Sequence, residues 1–161
     1  MLDLDASELN KNVRRNKKYK ILEDKLVHDS KSPSFTYLKD LMIFSAFLGL
    51  KHGVTECLDS DSSSNGITLQ TYSGTGRDRR LGQHGLIFLI ALHEKKDMDI
   101  LRRENVDEAI EIFEKYCNGG LSILMSWLIA SGNEPSILLN KLLESEASLK
   151  SDLVDLDMDD F

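Results

Sequence analysis

The chain has 161 residues, of which 41% are hydrophobic and 29% charged, and it carries a formal net charge of −7. This length suits one domain that can bury a core without disulfides or a structural metal. The longest uninterrupted apolar run, Leu86–Leu92, is far shorter than the roughly 20 residues of a transmembrane helix, so no membrane span is expected.

The N-terminus and the cysteines indicate the compartment. No apolar core of a signal peptide follows the acidic opening residues Asp3, Asp5 and Glu8. Cys57 and Cys117 are too few for a disulfide framework or a zinc quartet, and both lie among apolar neighbours. We therefore expect reduced thiols in a cytoplasmic protein.

Charge is distributed unevenly along the chain. Residues 1–25 hold seven bases and five acids, whereas residues 144–161 hold one base and seven acids. This asymmetry predicts a basic N-terminal arm or helix over residues 1–30, a helical core domain over residues 31–145 and an acidic disordered tail over residues 146–161. Two solvated termini without a partner are the alternative. The candidate DNA-backbone contacts in the arm are Lys11, Arg14, Arg15, Lys17, Lys18 and Lys20.

The strongest predicted helix covers Tyr37–His52. Apolar residues surround it almost completely, and one stripe runs from Tyr37 to Leu48, which is typical of a buried helix. Gly53 directly follows and predicts the end of the helix, because glycine tolerates the left-handed conformation of a C-cap.

Residues 54–82 predict a long flexible loop rich in serine and glycine, with at most one short strand at Ile67–Tyr72. The first part, Asp61–Gly66, has the spacing of oxygen ligands and glycine that opens a calcium-binding loop. Tyr72 stands where that loop needs a bidentate glutamate, so we expect a polar loop without calcium.

The second part of this loop combines glycines with arginines. Backbone N–H groups around Gly74 and Gly76, together with guanidinium groups, are suited to an anion. The segment lacks the lysine of a nucleotide-binding P-loop, so a contact with a nucleic-acid backbone is the functional hypothesis and a mobile surface loop the alternative. The candidate residues are Arg77, Arg79 and Arg80.

Further helices are predicted after Gln83. They comprise an apolar helix around Leu86–Leu92, a short helix at 97–103 and an amphipathic helix from Val106. The amphipathic pattern of the last helix places its glutamates, Glu114 among them, opposite the apolar face.

The triplet Asn118–Gly120 predicts the end of this amphipathic helix, with Gly119 or Gly120 in the left-handed conformation. A separate apolar helix is expected from Leu121. Short helices joined by turns predict an all-α fold, a compact multi-helix bundle or orthogonal array.

No arrangement of residues typical of an enzyme stands out. The four histidines lack metal-ligating spacing, no nucleophile elbow occurs, and neither cysteine has a basic neighbour in the sequence. The sequence therefore predicts no catalytic residue, no metal and no cofactor.

The C-terminus alternates acidic and apolar residues. This pattern is typical of a segment that remains disordered until an apolar groove with basic surroundings binds it. It resembles the acidic tip of single-stranded-DNA-binding proteins, which is a docking peptide. A purely solvating tail and docking on the basic arm of the same chain are the alternatives. The candidate docking residues are Leu156, Met158, Asp159, Asp160 and Phe161.

Several blocks of the chain resemble one protein family. Phe35–Gly53, Ile90–Leu92, Asp99–Leu101 and above all Ile112–Leu121 are similar to successive blocks of the fourth class of DNA phosphorothioation-associated (Dnd system-associated) proteins. The likeness covers about residues 30–130. The chain departs from the pattern in its serine-rich segment and in Cys117, where alanine is expected.

The resemblance implies a bacterial protein that accompanies DNA phosphorothioation or the restriction that depends on it, in defence against foreign DNA. It transfers no catalytic residue. We therefore expect a non-enzymatic adaptor that contacts other proteins of the system. A direct DNA-backbone-binding protein that uses the basic arm and the Arg77–Arg80 loop is the alternative.

Overall fold

The computed structural model describes residues 4–28, 31, 33–74, 82–132, 134–136 and 138–147. The chain divides into two compact units, Met1–Ile123 and Leu124–Phe161. Helices predominate in the described residues, so the all-α prediction is confirmed as far as a mostly helical fold. Within these ranges, no helix combines the length and apolar composition that a bilayer span requires.

Most of the helices belong to the first unit, and the longest extends into the second. In chain order they are α1 (Ala6–Leu9), α2 (Lys20–Leu26), α3 (Leu38–His52), α4 (Leu69–Ser73), α5 (His84–Lys95), α6 (Val106–Ala130) and α7 (residues 138–147). Short 3₁₀ turns occupy Lys17–Tyr19, Ser60–Ser62, Met98–Leu101 and Arg103–Asn105.

A two-stranded antiparallel sheet corrects the expectation of at most one strand. Strand β1 (Asn12–Arg14) pairs with β2 (Gly66–Thr68), and Val13 lies opposite Ile67. β1 lies inside the basic arm, where three residues are too few to show an alternating pattern among so many charges. The second half of the predicted strand forms α4 instead.

The flexible loop predicted over residues 54–82 is not confirmed in its described part. Ser62 is buried, and its hydroxyl accepts a hydrogen bond from the Lys17 N–H at 2.9 Å. Three hydrogen bonds join Asn65 and Arg15. The Asn65 side-chain amide donates to the Arg15 carbonyl, and the Asn65 carbonyl accepts from the Arg15 backbone N–H and from its guanidinium. Serine and asparagine thus order this segment by bonding to backbone groups of the basic arm, a use of polar residues that composition does not distinguish from solvation.

Helix α3 confirms its prediction to within one residue. Gly53 ends it in the left-handed conformation with φ +64°, as expected. Tyr37, the first residue of the predicted apolar stripe, lies before the helix and is 61% exposed.

Helix α6 runs through Asn118–Gly120, so the predicted helix end there is wrong. A Cβ on Gly119 would overlap the carbonyl oxygen of Val54, and one on Gly120 would overlap that of Ser45. Gly49 of α3 is constrained in the same way by the carbonyl of Tyr116. These glycines allow two backbones to touch and do not serve as a cap.

The short helix predicted at 97–103 is wrong, because two 3₁₀ turns separated by Arg102 take its place.

The apolar core of the first unit contains side chains from several helices. Tyr72 is fully buried with its ring edge-on to Phe113 at 6.2 Å, and its hydroxyl lies 3.2 Å from the Met42 sulfur. α3, α4 and α6 therefore share one core.

The close approach at the glycines is directly testable. Gly120→Ala should lower the free energy of unfolding by about 1–3 kcal/mol, because the added methyl group overlaps a backbone carbonyl that cannot turn away. Equilibrium denaturation in guanidinium chloride measures the change.

Gly85→Ala in α5 is the matched control. Nothing lies within 4 Å of the position that its Cβ would take. Because alanine favours the helix over glycine, the free energy of unfolding of this variant should equal that of the wild type or exceed it by up to about 1 kcal/mol. A Gly120→Ala protein as stable as the Gly85→Ala protein would contradict the packing role.

Candidate functional site

The structure brings most of the predicted basic arm against carboxylates of the first unit. Of the six candidate DNA contacts in the arm, Lys17 and Lys20 are exposed, and the other four form ion pairs. The four pairs are Lys11–Asp107 (2.6 Å), Arg14–Glu114 (2.9 Å), Arg15–Glu23 (2.5 Å) and Lys18–Glu56 (2.8 Å).

The pair between Arg15 and Glu23 lies in the interior. Nε and Nη2 of Arg15 donate to the two carboxylate oxygens at 2.5 and 2.7 Å, and both side chains are less than a tenth exposed. This two-point geometry fixes the end of β1 on α2, since a planar guanidinium matches a carboxylate in one orientation. Arg15 is therefore an internal structural group.

Glu114 of α6 is buried as well, although the amphipathic pattern places it opposite the apolar face. Its side chain is 2% exposed and accepts three hydrogen bonds from Arg14. One comes from the backbone N–H at 2.7 Å and two from the guanidinium at 2.9 and 3.0 Å. β1 therefore covers this face of α6 and satisfies its carboxylate.

Asn16 connects three parts of the first unit. Its backbone N–H donates to the Asn118 side chain at 2.9 Å, and its own oxygen accepts the Asp59 N–H at 2.7 Å. Its amide nitrogen donates to the Glu56 carboxylate and to the Cys57 carbonyl, at 2.7 and 3.0 Å. Asn16 is fully buried, so these bonds link the arm, the 56–59 segment and α6 without help from bulk water.

Glu56 receives three different donors beside this connection. Lys18 and Asn16 reach one carboxylate oxygen, and the Tyr19 hydroxyl reaches the other at 2.6 Å. Burial raises the pKa of Glu56, but the hydrogen bonds from these donors outweigh it, so the pKa lies below its usual 4.5. Glu56 thus remains a carboxylate at neutral pH and holds the 3₁₀ turn at Lys17–Tyr19 in place.

Two adjoining clefts open on the outer side of α6 and share Glu111 and Lys115. The larger, about 310 Å³, also has Glu94, Lys95, Glu108 and Tyr116 in its lining. The smaller, about 270 Å³, adds Arg14, Cys57, Leu58 and Glu114. Their cations already bind carboxylates, in the pairs Lys95–Glu108, Lys115–Glu111 and Arg14–Glu114.

Sequence reasoning missed these clefts, because their residues come from segments far apart in the chain. The Tyr116 hydroxyl donates to Glu94, and this bond together with burial raises the pKa of Tyr116 to about 12. Cys57 is exposed at the smaller cleft, whereas Cys117 is buried and its burial raises its pKa strongly. No pattern in the sequence signals the Glu94–Tyr116 contact.

Other sequence-predicted sites fall elsewhere. Arg77, Arg79 and Arg80 lie outside the described residues, and so does the docking tail with Leu156, Met158, Asp159, Asp160 and Phe161. After the arginine segment, Gln83 contacts the residues that precede it: its backbone N–H donates to the Tyr72 carbonyl at 2.6 Å. Among the described side chains, no three of His, Cys, Asp or Glu converge as a metal-binding group.

The two kinds of ion pair in the arm predict contrasting effects on stability. Arg15→Met should cost about 3–5 kcal/mol, because it leaves the Glu23 carboxylate buried without its cation. Lys11→Met removes a pair whose Asp107 is 77% exposed and should cost less than about 1 kcal/mol. Thermal and chemical denaturation of both variants measure the difference, and equal losses would contradict the buried role of Arg15.

Glu56 predicts a component of acid sensitivity. Because its folded-state pKa is lowered, its stabilising contribution is present above the unfolded value of 4.5 and disappears as the pH falls through the folded value. Glu56→Gln should therefore lose less stability than the wild type between neutral pH and pH values below 4.5. Urea denaturation across this range tests it, and parallel curves for the two proteins would exclude the effect.

Comparison with known proteins agrees with the resemblance found in the sequence. A protein-family model described as DNA sulphur modification system-associated protein 4 matches residues 12–161. No curated protein and no solved structure matches the chain. The matched range begins at β1 and covers most of the chain, including the arm residues that pair with α2 and α6. The chain therefore belongs to the family of DNA sulphur modification system-associated protein 4.

Proposed function

We propose that this chain is a non-enzymatic accessory protein of a DNA sulphur modification system and acts through contacts with the other proteins of that system. The family match supports the link to the system. The proposed biological setting is the modification of the DNA backbone or the restriction that depends on it, in defence against phage.

The internal ion pairs of the basic arm are the observation that carries this proposal. Four cations that the sequence offered to DNA phosphates are held by carboxylates of the same chain instead. A phosphate would have to displace these carboxylates, and for Arg15 it would have to enter the interior of the protein. The net charge of −7 adds a general repulsion from DNA.

Direct DNA binding is the second candidate, and two exposed residues favour it. Lys17 and Lys20 lie on the surface at and directly after the 3₁₀ turn, where phosphate can reach them. The Arg77–Arg80 segment would supply further cations under this hypothesis. Phosphate contacts of this kind make binding strongly dependent on salt.

A DNA titration across salt concentrations separates the two functions. The purified full chain is mixed with fluorescent duplexes, one with phosphorothioate linkages and one without, and anisotropy is measured. The adaptor proposal predicts little binding at physiological salt. It also predicts that log affinity falls against log salt with a slope no steeper than about −2, because two exposed lysines contribute at most about −0.9 each.

A steep slope that falls in the variant Lys17→Ala/Lys20→Ala would instead establish the DNA-binding function. The complementary measurement mixes the full chain with each purified protein of the modification system and follows complex formation by size-exclusion chromatography. The proposal predicts a stable complex with at least one of them, and a failure with all of them would refute it.

A further inference from the structure

The larger cleft beside α6 combines apolar and charged side chains. The most buried residues of its lining are Ile112 and Tyr116, at 8% and 9% exposed, and the charged residues of the lining come from α5 and α6. Its volume of about 310 Å³ is at the lower limit for sites that take a whole small molecule. A single long side chain with an aliphatic stem and a charged end suits this space, because the stem can cover the apolar residues.

Carboxylates outnumber cations in the larger cleft. Three glutamates and two lysines belong to its lining, namely Glu94, Glu108, Glu111, Lys95 and Lys115, which leaves one negative charge. The two lysines pair with Glu108 and Glu111, whereas Glu94 takes part in none of the ion pairs of the described residues. The lining of the smaller cleft, by comparison, holds two cations and two carboxylates. The excess negative charge therefore lies at Glu94, in the larger cleft.

Tyr116 fixes the position of this carboxylate. Its hydroxyl donates a hydrogen bond to one oxygen of Glu94, across from α6 to the last turn of α5. The other oxygen accepts no hydrogen bond from the described residues, and the Glu94 side chain is exposed to solvent. A carboxylate that is already oriented binds a cation with a smaller loss of side-chain freedom than a mobile one. Glu94 is thus a preorganised anchor for a cationic group that enters the cleft.

We propose that the larger cleft binds an arginine side chain of a partner protein, with the guanidinium on the Glu94 carboxylate and the aliphatic stem over Ile112 and Tyr116. The inference rests on the proposed adaptor function and names one contact of that function. Arginine fits better than lysine, because its guanidinium is more weakly hydrated and can donate to a carboxylate through two N–H groups. Arginine is also enriched in protein–protein interfaces, whereas lysine is depleted.

The first test needs no partner protein. N-acetyl-arginine methylamide is titrated at millimolar concentrations into the isotope-labelled full chain, and N-acetyl-citrulline methylamide, which has the same shape without the charge, is the control. The inference predicts that the arginine compound shifts the backbone amide signals of Glu94, Lys95, Ile112 and Tyr116 in NMR spectra. The citrulline compound should bind about tenfold more weakly, because it offers no charge to the carboxylate. Equal shifts with both compounds, or none with the arginine compound, would overturn the site.

Two substitutions test the carboxylate and the hydroxyl that orients it. Glu94→Gln removes the charge but keeps the shape of the side chain, and it should weaken binding of the arginine compound at least about tenfold. Tyr116→Phe leaves Glu94 charged but mobile and should weaken binding about 2–5-fold. Glu104→Gln is the matched control, because Glu104 is 69% exposed and belongs to the lining of neither cleft. Binding by Glu94→Gln at wild-type strength, with a wild-type melting temperature, would refute the inference.

The same variants separate the site from the function on which it rests. Each is titrated with the individually purified proteins of the modification system. The inference predicts that one of them binds the wild type and Glu104→Gln equally, and Glu94→Gln at least about tenfold more weakly. Equal binding by Glu94→Gln would overturn the docking of an arginine while the adaptor function stands. If the wild type binds none of these proteins but the arginine compound still binds, the adaptor function and the partner fail while the cation-binding site stands.

Discussion

The backbone of α6 touches the backbones of α3 and of the segment after it, and three glycines make this contact geometrically feasible. Gly49 lies against Tyr116, Gly119 against Val54 and Gly120 against Ser45. These close approaches set the depth at which the part of α6 before Leu124 packs in the first unit. Asn118 meets the Asn16 N–H and Glu114 meets Arg14 because α6 is held at this depth.

Two charged contacts of the arm, Arg15–Glu23 and Arg14–Glu114, involve buried carboxylates. The buried pair of Arg15 and Glu23 contributes orientation, since a buried ion pair gains little net stability over apolar groups of similar size. Asn16 adds directional bonds from the arm to two segments, α6 and residues 56–59. The result is an arm with one defined path across α2 and α6, which the family match covers from residue 12.

Elements formed by local interactions could be predicted from the sequence, whereas elements formed by contacts between distant residues could not. Helix α3 was predicted almost to the residue because its apolar pattern and its Gly53 cap are local signals. β1 was missed because three residues depend on a partner strand more than fifty positions away. The glycines of α6 were misassigned because a left-handed cap and a close backbone approach select the same amino acid. The pair of Arg14 and Glu114 was missed for the same reason as β1, since the two residues are 100 positions apart.

The contacts between residues 12–16 and distant parts of the chain affect when the chain can fold. Residues 12–16 leave the ribosome well before their partners, since Val13 pairs with Ile67 and Asn16 bonds to Asn118, 102 positions later. The chain must therefore close large loops before Val13 and Asn16 gain these partners, which slows folding relative to helical proteins with local contacts. A nascent chain that ends before α6 lacks Glu114 and Asn118, the residues that bind the Arg14 guanidinium and the Asn16 N–H in the folded protein. Synthesis of α6 supplies these partners to residues that were made about 100 positions earlier.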